Sequence, residues 1–240
     1  MRNYFTFAGT PSTDFGLYIN GHGTFGAPAH SFEATPIPGK NGDLIFDNKR
    51  FENFDLTYKS FIMDDFKQNM AAFRSFMLSK RTYQRLEDTY HPDEFRMAFF
   101  KEAIDPDVWF DNSYAEFDVT FNCKPQRFLK SGEVKLEFTD PAFSIENLTL
   151  FPAKPLIRVH ASAYGSGLLT IGGVVFSLSD IPGFMDLDFE TMNAYSGATA
   201  LNRNVILTTL DYPDLKPGVN NFTFSGDITK VEVTPRWYIL

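Results

Sequence analysis

The pattern of apolar and polar positions along this chain is mostly that of β-strands. In the stretch Ile37 to Tyr58, Leu44 and Phe46 fall on one side of an extended chain with Ile45 opposite, and after the polar break Asn48-Lys49-Arg50 the residues Phe54, Leu56 and Tyr58 again share a side. Two turn signals precede the run. Pro38-Gly39 suits the central positions of a type II turn, and Asn41-Gly42 suits a turn that needs positive φ. Tyr4 to Phe7 and Asp14 to Ile19 read as further short strands. One segment changes period: Phe66, Met70, Phe73 and Met77 recur at helical spacing. This predicts a helix over 64–78, with Asp64 as N-cap, Asp65 in the first turn and Lys80-Arg81 just past the negative end. Its Phe/Met stripe is expected to pack on the sheet built by the Ile37–Tyr58 stretch.

Downstream, Tyr83 to Ala98 reads as a strand, a turn at His91-Pro92-Asp93, and a returning strand from Phe95 to Lys101. Pro125, within Lys124-Pro125-Gln126-Arg127, is expected to end the strand Phe117–Phe121 and to mark a boundary near residue 130. Beyond it come short alternating runs without helical period: Ile157–His160, Leu168–Ile171, Val174–Leu178, Val205–Leu207, Phe222–Phe224 and Val231–Val233. Such a series predicts an all-β sandwich. The expected architecture is mainly β with one α-helix: an N-terminal β domain over 1–130 and a C-terminal β-sandwich over 131–240.

Composition narrows the function. Lys+Arg 22 against Asp+Glu 30 leaves a net charge of −8, which disfavours adhesion to nucleic acid or to an anionic membrane. The chain holds 27 Phe but 2 Trp, a load suited to cores and subunit contacts. A single cysteine, Cys123, excludes an intrachain disulfide, and FNCKP places it in a strand as a core thiol. No window approaches the run of about 18 apolar residues that a membrane helix needs, and the opening MRNYFTFAGT lacks the pattern of a secretory leader. A soluble protein made in the cytoplasm is expected.

Candidate chemistry is weak by comparison. Gly21-x-Gly23-x-x-Gly26 has a phosphate-loop spacing but runs into Ala27-Pro28 instead of a helix, so it reads as a plain loop. Arg85, Glu87, Asp88, His91, Asp93, Glu94 and Arg96 include metal-ligand and acid/base types, but neighbours on a strand and turn point in different directions, so they read as ion pairs. Asp186, Asp188 and Glu190 share one strand face and read as a solvated edge or channel lining, not as a calcium site or a glycosidase pair. His160 and Cys123 have no third orienting residue. No catalytic residue, cofactor or metal is expected.

Several motifs taken together carry a resemblance: IPGKNGDL with a following NFDLTY, then YQRLEDTYHPDEFRMA, FNCKPQRFLKSGE, and the closing series FPAKP, YPDLKPGVN and VEVTPRWYIL. In this order and spacing, over nearly the whole chain, they resemble the distal tail proteins (Dit) of siphophages and prophages of Gram-positive bacteria. The resemblance implies a hexameric ring at the tip of the virion tail, joining the tail-tube protein to a tail-associated fibre or lysin protein, with DNA only passing through the lumen. It implies a tail-tube-like N-terminal domain that forms the ring and a galectin-like or carbohydrate-module-like C-terminal sandwich. On this reading Pro38, Gly39, Asn41, Gly42, Asp43, Arg85, Asp88 and Tyr90 are expected at the subunit interface. The alternative is an adhesin that recognises host cell-wall saccharides, with Tyr164, Tyr195 and Trp237 as contacts.

Overall fold

The structure is a computed structural model and describes residues 2–21, 24–63, 65–109 and 114–240. It is mainly β with a single α-helix among the described residues, and it divides into two compact units, the first ending at Arg127 and the second running from Phe128 to Ile239.

In the first unit the strands are β1 (Phe5–Phe7), β2 (Thr10–Pro11), β3 (Leu17–Asn20), β4 (His30–Pro36), β5 (Asp43–Phe51), β6 (Phe54–Met63), β7 (Gln84–Asp88), β8 (Glu94–Phe100), β9 (Asp107–Val108) and β10 (Tyr114–Leu129), with helix α1 at Phe66–Ser79. One sheet runs β2-β1-β7-β8-β10-β6-β3. Its inner face is written in the alternation of β6 and β10, where Leu56, Tyr58 and Ile62 face the core with Phe117, Val119, Phe121 and Cys123. Helix α1 buries Phe66, Met70, Phe73 and Met77, as the spacing predicts. Asp64 lies outside the described residues. Asp65, expected in the first turn, is instead the N-cap, in a left-handed conformation and with no side-chain cap hydrogen bond. The helix packs on β6, whereas β4 and β5 form a separate two-stranded sheet, so the expectation that α1 covers all of the Ile37–Tyr58 stretch is corrected.

Strand β10 also departs from expectation, because it continues through Pro125 to Leu129. Its pairing with β6 ends at Cys123↔Phe54, so the N–H that Pro125 lacks is not needed by that ladder.

In the second unit the strands are β11 (Leu136–Phe138), β12 (Ala142–Asn147), β13 (Leu156–Ile171), β14 (Val174–Asp188), β15 (Asn193–Ser196), β16 (Thr199–Ala200), β17 (Val205–Leu207), β18 (Gly218–Gly226) and β19 (Ile228–Thr234). The runs Ile157–His160 and Leu168–Ile171, which read as two strands in the sequence, are the two ends of β13. Register shifts between His160 and Gly167 bend it. Its first part pairs with β19 and its last part with β18, so one strand serves both layers of the sandwich. Gly167 is needed at the bend, where a Cβ would lie 2.3 Å from the Ser225 carbonyl oxygen. Between the layers, Ile157, Val159, Leu187 and Val231 meet Leu169, Phe176, Phe222 and Phe224 in one core cluster.

Candidate assembly surface

The β4–β5 hairpin leaves a group of large apolar side chains uncovered. Its tip is built by the predicted turn chemistry: the Lys40 N–H donates to the Ile37 carbonyl over 3.1 Å, with Gly39 at φ +78° and Gly42 at φ +86°. A β-branched side chain at either glycine would be strained whatever the space around it. Lower down, a bulge between Ser31 and Phe32 places Lys49 at φ +53°, held by its N–H donating to Asp47 over 2.7 Å.

Cross-strand register sets the two faces. Thr35 opposes Leu44 and Glu33 opposes Phe46 on one; Ala34 opposes Ile45 and Phe32 opposes Asp47 on the other. Phe32, Leu44, Ile45 and Phe46 are 55%, 46%, 65% and 54% exposed. Both faces therefore carry exposed apolar side chains. An isolated two-stranded ribbon is marginal in water, so covering these side chains would stabilise it. Burying the four exposed side chains would contribute on the order of 4 kcal/mol. Pro38, Gly39, Asn41, Gly42 and Asp43 all lie at this exposed tip or at the start of β5.

Over its full length the chain superimposes on the crystal structure of the Dit (gp 19.1) protein of phage SPP1, with a TM-score of 0.78 at 15% identity and 100% of each chain covered. The fold is that of Dit. A chain of the phage p2 baseplate, in its activated conformation with Sr, shares it at a TM-score of 0.51 and 11% identity over 97% of each chain. No family model matches the chain, and no curated protein matches it in sequence. The SPP1 protein is described as a paradigm of the hub adsorption apparatus in phages that infect Gram-positive bacteria. A galectin-like C-terminal module is consistent with the Dit fold.

Within this Dit fold, Arg85, Asp88 and Tyr90 serve their own unit. Asp88 accepts from the Tyr58 hydroxyl at 2.7 Å and from the backbone N–H groups of Tyr90 and His91 at 2.9 Å each, which fixes the β7–β8 turn. Arg85 donates to Glu87 at 2.5 Å and lies 3.7 Å over the Phe95 ring. The Tyr90 hydroxyl accepts from Asn3 at 2.8 Å, and its ring packs so closely on Gly21 that a Cβ there would lie 2.3 Å away. Of the glycine-spaced motif, Gly23 is outside the described residues. Thr24 and Gly26 beside it offer their carbonyl oxygens to Arg127.

The second unit's candidates are also accounted for locally. Asp186 is buried and receives both Arg158 Nε and Nη2, at 2.7 and 2.9 Å, which corrects the reading of a solvated edge. The reason is register, since Arg158 on β13 lies directly opposite Asp186 on β14. Asp188 pairs with Arg236 at 2.7 Å and Glu190 with Lys154 at 4.0 Å. His160 binds Glu232 at 2.9 Å, and Cys123, in the other unit's core, has its thiol pushed up to about 12 by burial. Tyr164 stands exposed in the bend of β13, Tyr195 is half-buried on β15 opposite Asp186, and Trp237 packs against the sandwich core.

Sequence reasoning missed Phe32 and weighed Ile45 only as the residue opposite Leu44 and Phe46. The available signal was the consecutive apolar run Leu44-Ile45-Phe46, which no one-sided ribbon would carry. It also missed Leu148 and Leu150, both 85% exposed in a turn whose Asn147 accepts from Thr149 and donates to the Phe151 and Leu215 carbonyls.

Proposed function

We propose that the chain is the hub protein of a siphophage tail tip, a non-enzymatic virion component whose N-terminal part (1–130) closes into a hexameric ring and whose C-terminal sandwich (131–240) presents the tail-associated fibre or lysin protein. The observation that carries this reading is the full-length likeness to SPP1 Dit. The hairpin supplies what a ring requires, a projecting apolar surface that a neighbouring copy can cover. Its expected contacts include Pro38, Gly39, Asn41, Gly42 and Asp43, joined by Phe32 and Ile45. Six copies would carry a formal charge of six times −8, about −48, and an acidic lumen lets DNA pass towards the tip without sticking.

The double substitution Phe32→Asp with Ile45→Asp tests the reading. Both side chains are more than half exposed, so the monomer should keep its melting temperature within about 2 °C. Assembly measured by native mass spectrometry should be lost. Undiminished oligomers from a folded double variant would remove the hairpin from the ring contact.

A further inference from the structure

Twice on its sheet surfaces this chain holds an arginine between an aromatic ring and a carboxylate. In the first unit Arg85 lies 3.7 Å over the Phe95 ring and donates to Glu87 at 2.5 Å. In the second, Arg158 lies 4.5 Å over the Phe184 ring and donates to Asp186 at 2.7 and 2.9 Å. The planar guanidinium suits both partners, since its face rests on a ring while its edge donates to an oxygen.

The outer face of the first unit's sheet carries the ring and the carboxylate a third time. Tyr18 on β3 stands opposite Phe61 on β6, Phe61 opposite Glu116 on β10, and Glu116 opposite Asp107 on β9. One cross-strand row therefore reads ring, ring, carboxylate, carboxylate. The row faces away from the core, because the sequence neighbours Leu17, Ile62 and Ala115 are the buried ones and Val108 packs on the core. Beside it, Tyr114 lies 6.2 Å from Phe61 and 5.7 Å from Trp109, which is 59% exposed, and the Tyr114 hydroxyl donates to Glu116. Charge here is unbalanced. Glu116 and Asp107 are exposed carboxylates set directly opposite each other, an arrangement that repels. The cations of this face are engaged elsewhere: Lys59 pairs with Asp118 at 2.6 Å, and Arg2 lies 5.0 Å over Tyr18 at the far end of the row. Among the described residues no cation pairs with Glu116 or Asp107, and no further ligand completes a group that could hold a metal ion.

We infer that this face binds an arginine side chain presented by another protein, the guanidinium donating to Glu116 and Asp107 and resting on the rings of Trp109 and Phe61. A hard metal ion would want six or more oxygen ligands, whereas the arginine fork bridges two carboxylates and stacks on rings as it does at Phe95 and Phe184. The inference does not depend on ring assembly.

The probe is a fluorescently labelled peptide, Thr-Val-Arg-Val-Thr with blocked ends, whose β-branched residues favour an extended chain. Its control has citrulline, the uncharged isostere, in place of arginine. Fluorescence anisotropy with the full chain should show saturable binding of the arginine peptide, and binding of the citrulline peptide about tenfold weaker. The double substitution Glu116→Gln with Asp107→Asn should weaken the arginine peptide about tenfold, and Trp109→Ala should weaken it as well. Asp140→Asn with Asp211→Asn changes the net charge equally, from −8 to −6, at exposed positions of the second unit, and should leave binding unchanged. Equal weakening by the two double variants would show general attraction to an acidic protein and overturn the inference. So would the absence of saturable binding up to about 1 mM. Because it removes a repulsion, the Glu116→Gln, Asp107→Asn variant should melt no lower than the wild type; a lower melting temperature would assign the carboxylates to the fold instead.

Discussion

Truncating Phe121 to alanine is expected to destabilise the N-terminal unit by about 3–5 kcal/mol, a large part of the about 5–15 kcal/mol that holds a typical domain folded. The side chain is fully buried. Its ring lies 4.8 Å from Phe7, 5.4 Å from Phe5, 6.1 Å from Tyr58 and 6.2 Å from Phe100, so four aromatic partners from β1, β6 and β8 lose a face at once. Those partners are fixed by strands and cannot collapse into the space. Chemical denaturation followed by tyrosine fluorescence and near-ultraviolet dichroism measures the loss. A cost below about 1 kcal/mol would show that this cluster does not organise the unit. The second unit has its own core, so its transition should stay in place.

The second large effect is electrostatic and depends on pH. In the C-terminal sandwich, Glu232 on β19 is buried, which alone would raise its carboxyl. Lys135 at 2.8 Å, Lys230 at 2.5 Å and His160 at 2.9 Å outweigh burial and hold it at about 2, below the usual 4.5. A carboxyl whose folded value lies below its unfolded value stabilises the fold above the unfolded value and loses that contribution as pH falls through the folded one. Glu232 should therefore contribute about 3 kcal/mol at neutral pH, lost progressively between pH 4.5 and about 2. Replacing it with Gln removes this contribution at pH 7 and flattens the dependence over that window. Melting curves of wild type and Glu232→Gln from pH 7 to 2.5 should converge at the acid end; parallel curves would contradict the assignment.

Much of the fold was legible in the residues. The helix announced itself by Phe66, Met70, Phe73 and Met77, and the core strands by the alternation of β6 and β10, because a one-sided core imposes its period on the chain. The tip turn was legible from Pro38-Gly39 and Asn41-Gly42, since few residue types tolerate that backbone. What could not be read was tertiary partnership. The alternation of β5 and that of β6 look alike, yet β6 lies in the main sheet and β5 in a free ribbon. Asp186 looked solvated because its partner Arg158 is 28 positions away, on a strand whose register the local sequence does not state. Pro125 looked like a stop because a proline ends a strand only where the missing N–H would have been used.

The N-terminal unit is well packed inside and carries exposed apolar side chains along one hairpin, the surface that the proposed ring would cover. The most direct measurement is electron microscopy of the purified full chain, with native mass spectrometry on the same sample. A closed six-fold ring with a mass of about 164 kDa, six times 27.3 kDa, is the predicted result. A single species at 27.3 kDa, both alone at high concentration and after mixing with the tail-tube protein, would contradict the account.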